Sequence, residues 1–215
     1  LGKWTETGYS CSGIWRPATL MSAPKGKMRA QFAPSMAVQD EIIPREVRRT
    51  ADGRLIVDLG QNVAGWLRVR LKGRKGERVT LRYSEILRSD DPEQLYVANL
   101  RLARCMDAYT PASDGWFEWE PQFVIHGFRF VEISGADLSA MPSERNFAGI
   151  VAYDEMKSTG TFSCSDEILN LMHENTARGL RGNYRGMPTD CPQRDERMGW
   201  LGDRSTGCYG EAFIY

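Results

Sequence analysis

The stretch Thr189–Asp203, TDCPQRDERMGWLGD, combines four carboxylates, two arginines and one tryptophan within fifteen residues. We refer to it as the acidic stretch. Pro192, Gly199 and Gly202 interrupt it, which disfavours a plain solvated helix. Carboxylates transfer protons and accept hydrogen bonds from hydroxyl groups, arginines donate hydrogen bonds to oxygens, and an indole gives an apolar wall for one face of a sugar. The acidic stretch is therefore typical of a sugar pocket.

The composition of the 215-residue chain is that of a soluble globular protein, with 41% hydrophobic and 26% charged residues. This length allows one large domain or one and a half smaller ones. The 28 basic and 28 acidic residues balance, which argues against nucleic acid as a partner because that partner requires a basic excess. No run of about 18 apolar residues occurs, so we expect no membrane span.

Residues that commonly bind metals are few and scattered. The five cysteines include no pair at CxxC spacing, and only His126 and His173 could add imidazole ligands. We therefore expect free thiols, no metal site and no cofactor.

Both ends of the chain lack the usual boundaries. It begins at Leu1 rather than at methionine, and it ends in the apolar run Phe213–Tyr215 without a helix stop signal. We interpret the sequence as a piece of a longer polypeptide, so it does not indicate a cellular compartment.

Residues 1–50 are weakly patterned, and we interpret them as the end of a preceding β-domain or as a linker. Prolines in this part disfavour long helices, and residues 36–43 are compatible with an edge strand. Trp4 and Trp15, with Ile14 beside them, could form a sugar-stacking platform. Core packing is the favoured interpretation, because aromatic side chains are more often buried than used for binding.

Residues 51–156 carry the period-two alternation of β-strands that bury one face and expose the other. Residues 54–59 are expected to form a first strand, followed by a turn at 60–65. Residues 66–71 and 77–83 alternate again across a short glycine turn, which predicts a hairpin.

The remaining strands of this region are short. The apolar run 123–133 is interpreted as two strands that meet at His126–Gly127, with His126 as a satisfied histidine at the bend rather than a site residue. Many short strands separated by turns indicate a β-sandwich or jelly roll. Other strands are expected near 104–109, 116–121 and 149–153.

Residues 157–215 change to a helical period. Ser165 can cap a helix whose first turn holds Asp166 and Glu167, both favoured there by the helix dipole. The acidic stretch follows as a loop, and a second helix is expected to start near Asp203. One face of the first helix is expected to be buried, because its residues recur at helical spacing. These residues are Ile168, Leu169, Met172, Asn175, Thr176 and Gly179.

The acidic stretch and several other segments resemble the bacterial α-L-rhamnosidases of glycoside hydrolase family 78. The matching segments are GTFSCS at 160–165, Asn183, PTDCPQRDERMGW at 188–200 with Gly202 and Asp203, DLGQNVAGW at 58–66 and HGFRF at 126–130. The resemblance implies a β-sandwich domain packed before an (α/α)6 barrel. It also implies hydrolysis of terminal α-L-rhamnose with inversion of configuration. We therefore expect an α+β multidomain fragment, a β-sandwich or jelly roll followed by the first helices of that barrel.

The resemblance also implies roles for individual residues. By motif position, Glu196 is expected to be the general acid that protonates the leaving oxygen. Asp190 and Asp203 are expected to bind rhamnose hydroxyls, and Arg194 to bind or orient a carboxylate. Trp200 is expected to pack on the apolar side of the sugar, where rhamnose has a methyl group.

Two further points concern the proposed acid and its partner. Asp195 and Arg197 fit a salt-bridged structural loop as well as a functional role. An inverting glycosidase needs a second carboxyl group about 6.5–9.5 Å from the acid, so that a water fits between them. The general base of the family lies far downstream, which places it beyond Tyr215, so we expect this chain alone to be inactive.

Two other functions stay open. A non-catalytic carbohydrate-binding or interaction module would use Trp66, Trp116 and Trp119 as a stacking face. A hydrolase of another sugar could share the barrel, because fold alone does not determine function. The expected partners are rhamnose-containing oligosaccharides or glycosides, without nucleic acid or membrane. An incomplete barrel could also self-associate through its exposed helix faces.

Overall fold

The computed structural model describes residue 4, residues 7–11, residue 13 and residues 15–215. It divides the chain into two compact units, Leu1–Phe32 and Ala33–Tyr215. The domain boundaries expected at residues 50 and 156 stay predictions. In the first unit, Trp15 donates a hydrogen bond to the Tyr9 hydroxyl at 3.1 Å, and the rings of Trp4 and Trp15 lie 6.3 Å apart. These two tryptophans are 56% and 43% exposed, so the favoured interpretation of core packing is wrong for them: their rings contact each other at the surface, and the Trp15 ring also contacts Tyr9. Ile14 lies outside the described residues.

Eight antiparallel strands of the second unit pair into one sheet in the order β1-β8-β3-β7-β4-β5, and β2 and β6 also pair with β3. This confirms the predicted β-rich domain and the edge position of the first strand. The strands are β1 (Met36–Ile42), β2 (Glu46–Arg49), β3 (Leu55–Gly73), β4 (Val79–Ser84), β5 (Met106–Tyr109), β6 (Gly115–Trp119), β7 (His126–Ser134) and β8 (Phe147–Asp154).

The long strand β3 replaces the two strands and the turn that the sequence predicts for residues 54–71. The chain stays extended, and its pairing with β7 shifts register between Asp58 and Val63. Gly60 absorbs this irregularity with a φ of 77°, a value that glycine adopts without steric cost. The predicted turn is therefore wrong, because a bulge uses the same residue types as a turn.

The predicted hairpin between residues 66–71 and 77–83 is also wrong. β3 pairs with β6 and β8 near its end, so that Val69 lies opposite both Trp119 and Phe147. β4 pairs instead with β5 and β7. Alternation shows which side chains are buried but does not identify the neighbouring strand, and both edges of β3 are already occupied.

The apolar run 123–133 contains one strand rather than two. β7 begins at His126, whereas Phe123 before it is fully exposed and has a left-handed φ of 61°. The Phe123 side chain therefore makes no contribution to the core, and its apolar character misled the sequence interpretation.

The apolar core is built mainly from alternate residues of β3, β4 and β7, as the period-two pattern predicts. On β7, Glu132 lies between two core residues and bonds to Arg54 and, at 3.0 Å, to Arg82. The large buried side chains of the core include Tyr83, Phe128, Phe147, Leu55, Leu67, Leu71, Leu81, Leu100 and Ile133.

Asp58 and Gly65 of the segment 58–66 have structural roles. Both oxygens of Asp58 accept hydrogen bonds from Arg129 on β7, at 2.7 and 2.8 Å, and one also accepts the Gly60 N–H at 2.7 Å. Burial opposes ionisation of Asp58, but these hydrogen bonds outweigh it and lower the pKa of the carboxyl. At Gly65, an added Cβ would lie 1.7 Å from the Ile150 carbonyl oxygen, so no side chain fits there.

Two helices follow the sheet, α1 (Glu167–Arg181) and α2 (Leu201–Glu211). Asp166, rather than the predicted Ser165, caps α1, and its carboxylate accepts the N–H of Ile168 at 2.9 Å. Ala177 is the one buried residue of α1, so the predicted buried face is wrong. Ile168 and Met172 on that face are 69% and 59% exposed. No described helix combines the length and the apolar character needed to cross a membrane.

Candidate active site

Residues 189–200 of the acidic stretch form a loop that Asp190 closes on itself, and the last three residues of the stretch begin α2. The Asp190 N–H donates to the Met198 carbonyl at 3.0 Å, and the Asp190 carboxylate accepts the Met198 N–H at 2.6 Å. Between them the chain turns back at Arg197, which has a left-handed φ of 50°. The loop is thus held as a closed unit rather than as part of a helix.

The Asp190 side chain is only 6% exposed, which makes its interactions strong. Burial opposes its ionisation, but the thiol of Cys191, the N–H of Met198 and the more distant guanidinium of Arg194 outweigh this effect. Together they lower the pKa of Asp190. The carboxylate is therefore an ionised anchor of the loop.

Glu196 lies at the centre of a group of donors. Its Oε2 accepts a hydrogen bond from Arg101 at 2.7 Å and forms an ion pair with Arg194 at 2.9 Å, while its Oε1 accepts the indole N–H of Trp200 at 2.9 Å. The Glu196 side chain is 20% exposed, so it remains accessible from solvent. Its two oxygens are thus oriented by three side chains.

The loop packs directly on the sheet domain. The Leu102 N–H donates to the Asp195 carboxylate at 3.2 Å, and the Cys105 thiol donates to the Gln193 carbonyl at 3.0 Å. Gly127 lies so close that an added Cβ would be 2.8 Å from Pro192. Close backbone approach at this glycine therefore fits the loop to β7.

A buried pair lies next to this contact. His126 Nε2 is 3.0 Å from Asp107, and the His126 ring stacks on Tyr83 with 4.1 Å between centroids. Burial raises the pKa of the Tyr83 hydroxyl well above its ordinary value. His126 begins β7, and these contacts agree with its interpretation as a structural residue. It is only half satisfied, because its buried Nδ1 has no hydrogen-bond partner among the described residues.

α2 begins directly after the loop. Trp200 precedes its first residue and has a half-exposed indole, whereas Asp203 is exposed in the first turn. The Tyr184 hydroxyl accepts a hydrogen bond from Arg204 at 2.9 Å and donates one to Glu211 at 2.6 Å. Those bonds tie α2 to the segment before the acidic stretch.

The structure brings together four of the five predicted site residues. Asp190, Arg194, Glu196 and Trp200 are linked by direct contacts, in that order. Asp203 makes no hydrogen bond or ion pair with them among the described residues. Sequence reasoning missed Arg101, which contacts Glu196 from 95 residues away; no local pattern marks it.

The site offers a possible set of metal ligands, but an arginine already occupies it. Ligand atoms of Asp190, Cys191 and Glu196 lie within 4.8 Å of one another. Arg194 contacts both carboxylates, so its guanidinium supplies the positive charge that a cation would bring. We assign no metal to these residues.

The three tryptophans considered as a stacking face have protein partners. The Trp66 indole donates to Glu120 at 2.8 Å, and Trp119 stacks on Tyr109 with 5.3 Å between centroids. Trp116 is half exposed, but the cationic groups of Arg70 and Lys72 lie over its ring.

A cleft of about 450 Å³ lies between β3 and α1. It is lined by Pro192 but not by Glu196.

Comparison with known proteins gives concordant matches. The bacterial alpha-L-rhamnosidase concanavalin-like domain matches residues 48–153, and the bacterial alpha-L-rhamnosidase 6 hairpin glycosidase domain matches residues 157–215. An alpha-L-rhamnosidase of Formosa agariphila is 43% identical over 159 residues, which are 74% of this chain and 17% of that protein.

Solved structures agree. The alpha-L-rhamnosidase from Dictyoglumus thermophilum matches with a TM-score of 0.84 and 34% identity, over 91% of this chain and 22% of that one. The Streptomyces avermitilis alpha-L-rhamnosidase complexed with L-rhamnose matches with a TM-score of 0.80 and 37% identity, over 86% of this chain and 18% of that one. The chain thus spans about a fifth of the length of these relatives. From these matches and its β-rich fold, the chain belongs to the bacterial α-L-rhamnosidases.

Proposed function

We propose that the protein containing this chain hydrolyses terminal α-L-rhamnose from rhamnosides with inversion of configuration. The observation that carries this proposal is the connected group of Asp190, Arg194, Glu196 and Trp200 on one closed loop. The relatives named above are α-L-rhamnosidases, which supports the substrate class. Because the chain spans a fifth of their length, the activity is proposed for the whole protein.

The reaction requires one proton donor and one proton acceptor. Glu196 gives its proton to the glycosidic oxygen as the bond from that oxygen to the anomeric carbon breaks, with the electron pair leaving on the oxygen. Water attacks the anomeric carbon from the opposite face, and a second carboxylate takes its proton. The products are the free alcohol and β-L-rhamnose. We assign the second carboxylate to none of the described residues.

The neighbours of Glu196 have distinct roles in this proposal. Arg194 contacts both Glu196 and Asp190, so it fixes the acid relative to the loop anchor. Asp190 Oδ1 accepts the Met198 N–H, and Oδ2, which Arg194 contacts at 3.4 Å, is proposed to accept a rhamnose hydroxyl as well. The exposed Asp203 carboxylate and the half-exposed Trp200 indole are proposed to bind a second hydroxyl and the apolar side of the sugar.

We further propose that residues 157–215 form the first helices of an (α/α)6 barrel. The match to the glycosidase domain and the uncovered apolar face of α1 support this arrangement. The 215-residue chain by itself is proposed to be inactive, because hydrolysis needs the second carboxylate. Release of p-nitrophenol from p-nitrophenyl α-L-rhamnoside by the purified chain would contradict this point.

The test uses the complete protein and a panel of p-nitrophenyl glycosides. Hydrolysis of the α-L-rhamnoside alone is expected, and the first product seen by proton NMR is expected to be β-L-rhamnose. Initial appearance of α-L-rhamnose would refute inversion. Hydrolysis of a different glycoside would favour the other-sugar hydrolase. Binding without hydrolysis of any glycoside would favour the carbohydrate-binding module.

A further inference from the structure

Arg101, a residue of the sheet domain, contacts the proposed general acid. Its Nη1 donates to Glu196 Oε2 at 2.7 Å, the same oxygen that Arg194 contacts at 2.9 Å. The other oxygen faces the Trp200 indole. Two guanidinium groups therefore converge on one carboxylate oxygen, and one of them comes from outside the acidic stretch.

The turn that carries Arg101 is firmly built. It follows a short 3-10 helix, Ala98–Leu100, whose Leu100 side chain is buried in the core. Asn99 donates to Glu85 at 3.1 Å, and the Ala103 N–H donates to the Leu100 carbonyl at 3.1 Å. These contacts hold the turn on both sides of Arg101.

The backbone at this turn also points to a specific placement. Arg101 has a left-handed φ of 58°, which is costly for a residue with a side chain unless its surroundings impose it. The next residue, Leu102, donates its N–H to Asp195 at 3.2 Å. Two neighbouring residues of the turn thus bind two neighbouring carboxylates, Asp195 and Glu196.

We propose that Arg101 is a positioning residue that orients Glu196 and favours loss of its proton to the leaving oxygen. Proton transfer leaves Glu196 as a carboxylate, and a guanidinium at hydrogen-bond distance stabilises that charge. The sheet domain therefore takes part in the acid step through this turn. This inference rests on the function proposed above.

The leaving group separates such a role from a structural one. A nitrophenolate departs readily without a proton, whereas an alkoxide departs only when it is protonated. The complete protein and its Arg101→Ala variant are compared on p-nitrophenyl and methyl α-L-rhamnoside. Because general acid catalysis contributes about 10²–10⁴-fold, the variant is expected to lose at least about tenfold more kcat/KM on the methyl substrate.

A conservative variant gives a further readout in the same experiment. Arg101→Lys is expected to restore part of the loss, since it keeps the charge. Arg104→Ala is the matched control, because among the described residues Arg104 is exposed and has no hydrogen bond or ion pair.

The outcomes are distinguishable. Equal losses on both substrates, or no loss at all, would refute the role of Arg101 and leave the proposed function intact. A complete protein that hydrolyses neither rhamnoside would refute the proposed function and this inference with it. Should Arg101→Ala fail to fold, Arg101→Gln removes the charge at similar length and allows the same comparisons.

Discussion

The contact between Gly127 and the acidic stretch can be tested by adding a single methyl group. Gly127 is buried in β7, and an alanine Cβ there would lie 2.8 Å from Pro192 Cγ and 2.9 Å from Gln193 Cβ. Carbon atoms in contact normally lie about 3.5–4.0 Å apart, so the loop must retreat by roughly 0.5–1 Å. It cannot retreat freely, because the Gln193 carbonyl also accepts a hydrogen bond from the Cys105 thiol.

The expected result of Gly127→Ala is a loss of both stability and activity. Overpacking of this kind costs about 1–3 kcal/mol, and each kcal/mol lowers the Tm by about 2–4 °C in a chain of this size. A shift of about 1 Å near Glu196 is expected to lower kcat by about 100-fold. Thermal unfolding of the chain and rhamnoside hydrolysis by the complete protein measure the two effects.

The matched control is Gly179→Ala in α1. An added Cβ at Gly179 would meet nothing within 4 Å, and alanine favours a helix over glycine by about 1 kcal/mol. This variant of the chain is expected to equal or exceed the wild type in Tm. If Gly127→Ala were as stable as Gly179→Ala, the described packing of the loop on β7 would be wrong.

Three other predictions concern stability and association. Asp190→Asn is expected to destabilise the chain at pH 7 but progressively less below about pH 4. The pKa of Asp190 is lower in the folded state than in the unfolded state, so its ionised carboxylate stabilises the fold above the unfolded-state pKa. That stabilisation disappears as the pH falls through the folded-state pKa. Urea unfolding at several pH values measures it, and a pH-independent difference would contradict it. Glu132→Ala is expected to lower the free energy of unfolding by about 3 kcal/mol, because the buried carboxylate accepts hydrogen bonds from Arg54 and Arg82. A change in the urea midpoint equivalent to less than about 1 kcal/mol would contradict this expectation. The exposed apolar side chains of α1 are expected to make the isolated chain self-associate, and a clean monomer by size-exclusion chromatography would contradict this.

The candidate site could be found from sequence because its residues lie close together in the chain. Asp190, Arg194, Glu196 and Trp200 lie within eleven positions, so local sequence alone places them near one another. Arg101 could not be found, because its contact with Glu196 depends on how the sheet domain packs against the loop. Such a contact leaves no periodic or compositional trace.

The fold shows the same division between local and distant information. Alternation correctly marked the buried residues of 66–71 in β3 and of 77–83 around β4, since side-chain direction is a local property of a strand. The first residues of β3, from Leu55 to Leu59, are buried without alternation. It did not reveal that β4 pairs with β5 and β7, because strand neighbours depend on the whole topology. The apolar face of α1 followed the helical period, but burial requires a covering surface that the described residues do not supply.

The role of Glu196 is tested most directly by comparing the complete protein with its Glu196→Gln variant on methyl α-L-rhamnoside. Glutamine keeps the shape of the side chain but cannot donate the proton. We expect kcat to fall by at least about 100-fold while L-rhamnose binding, measured by calorimetry, is retained. Equal kcat values for the two proteins would contradict the role of Glu196 as the general acid.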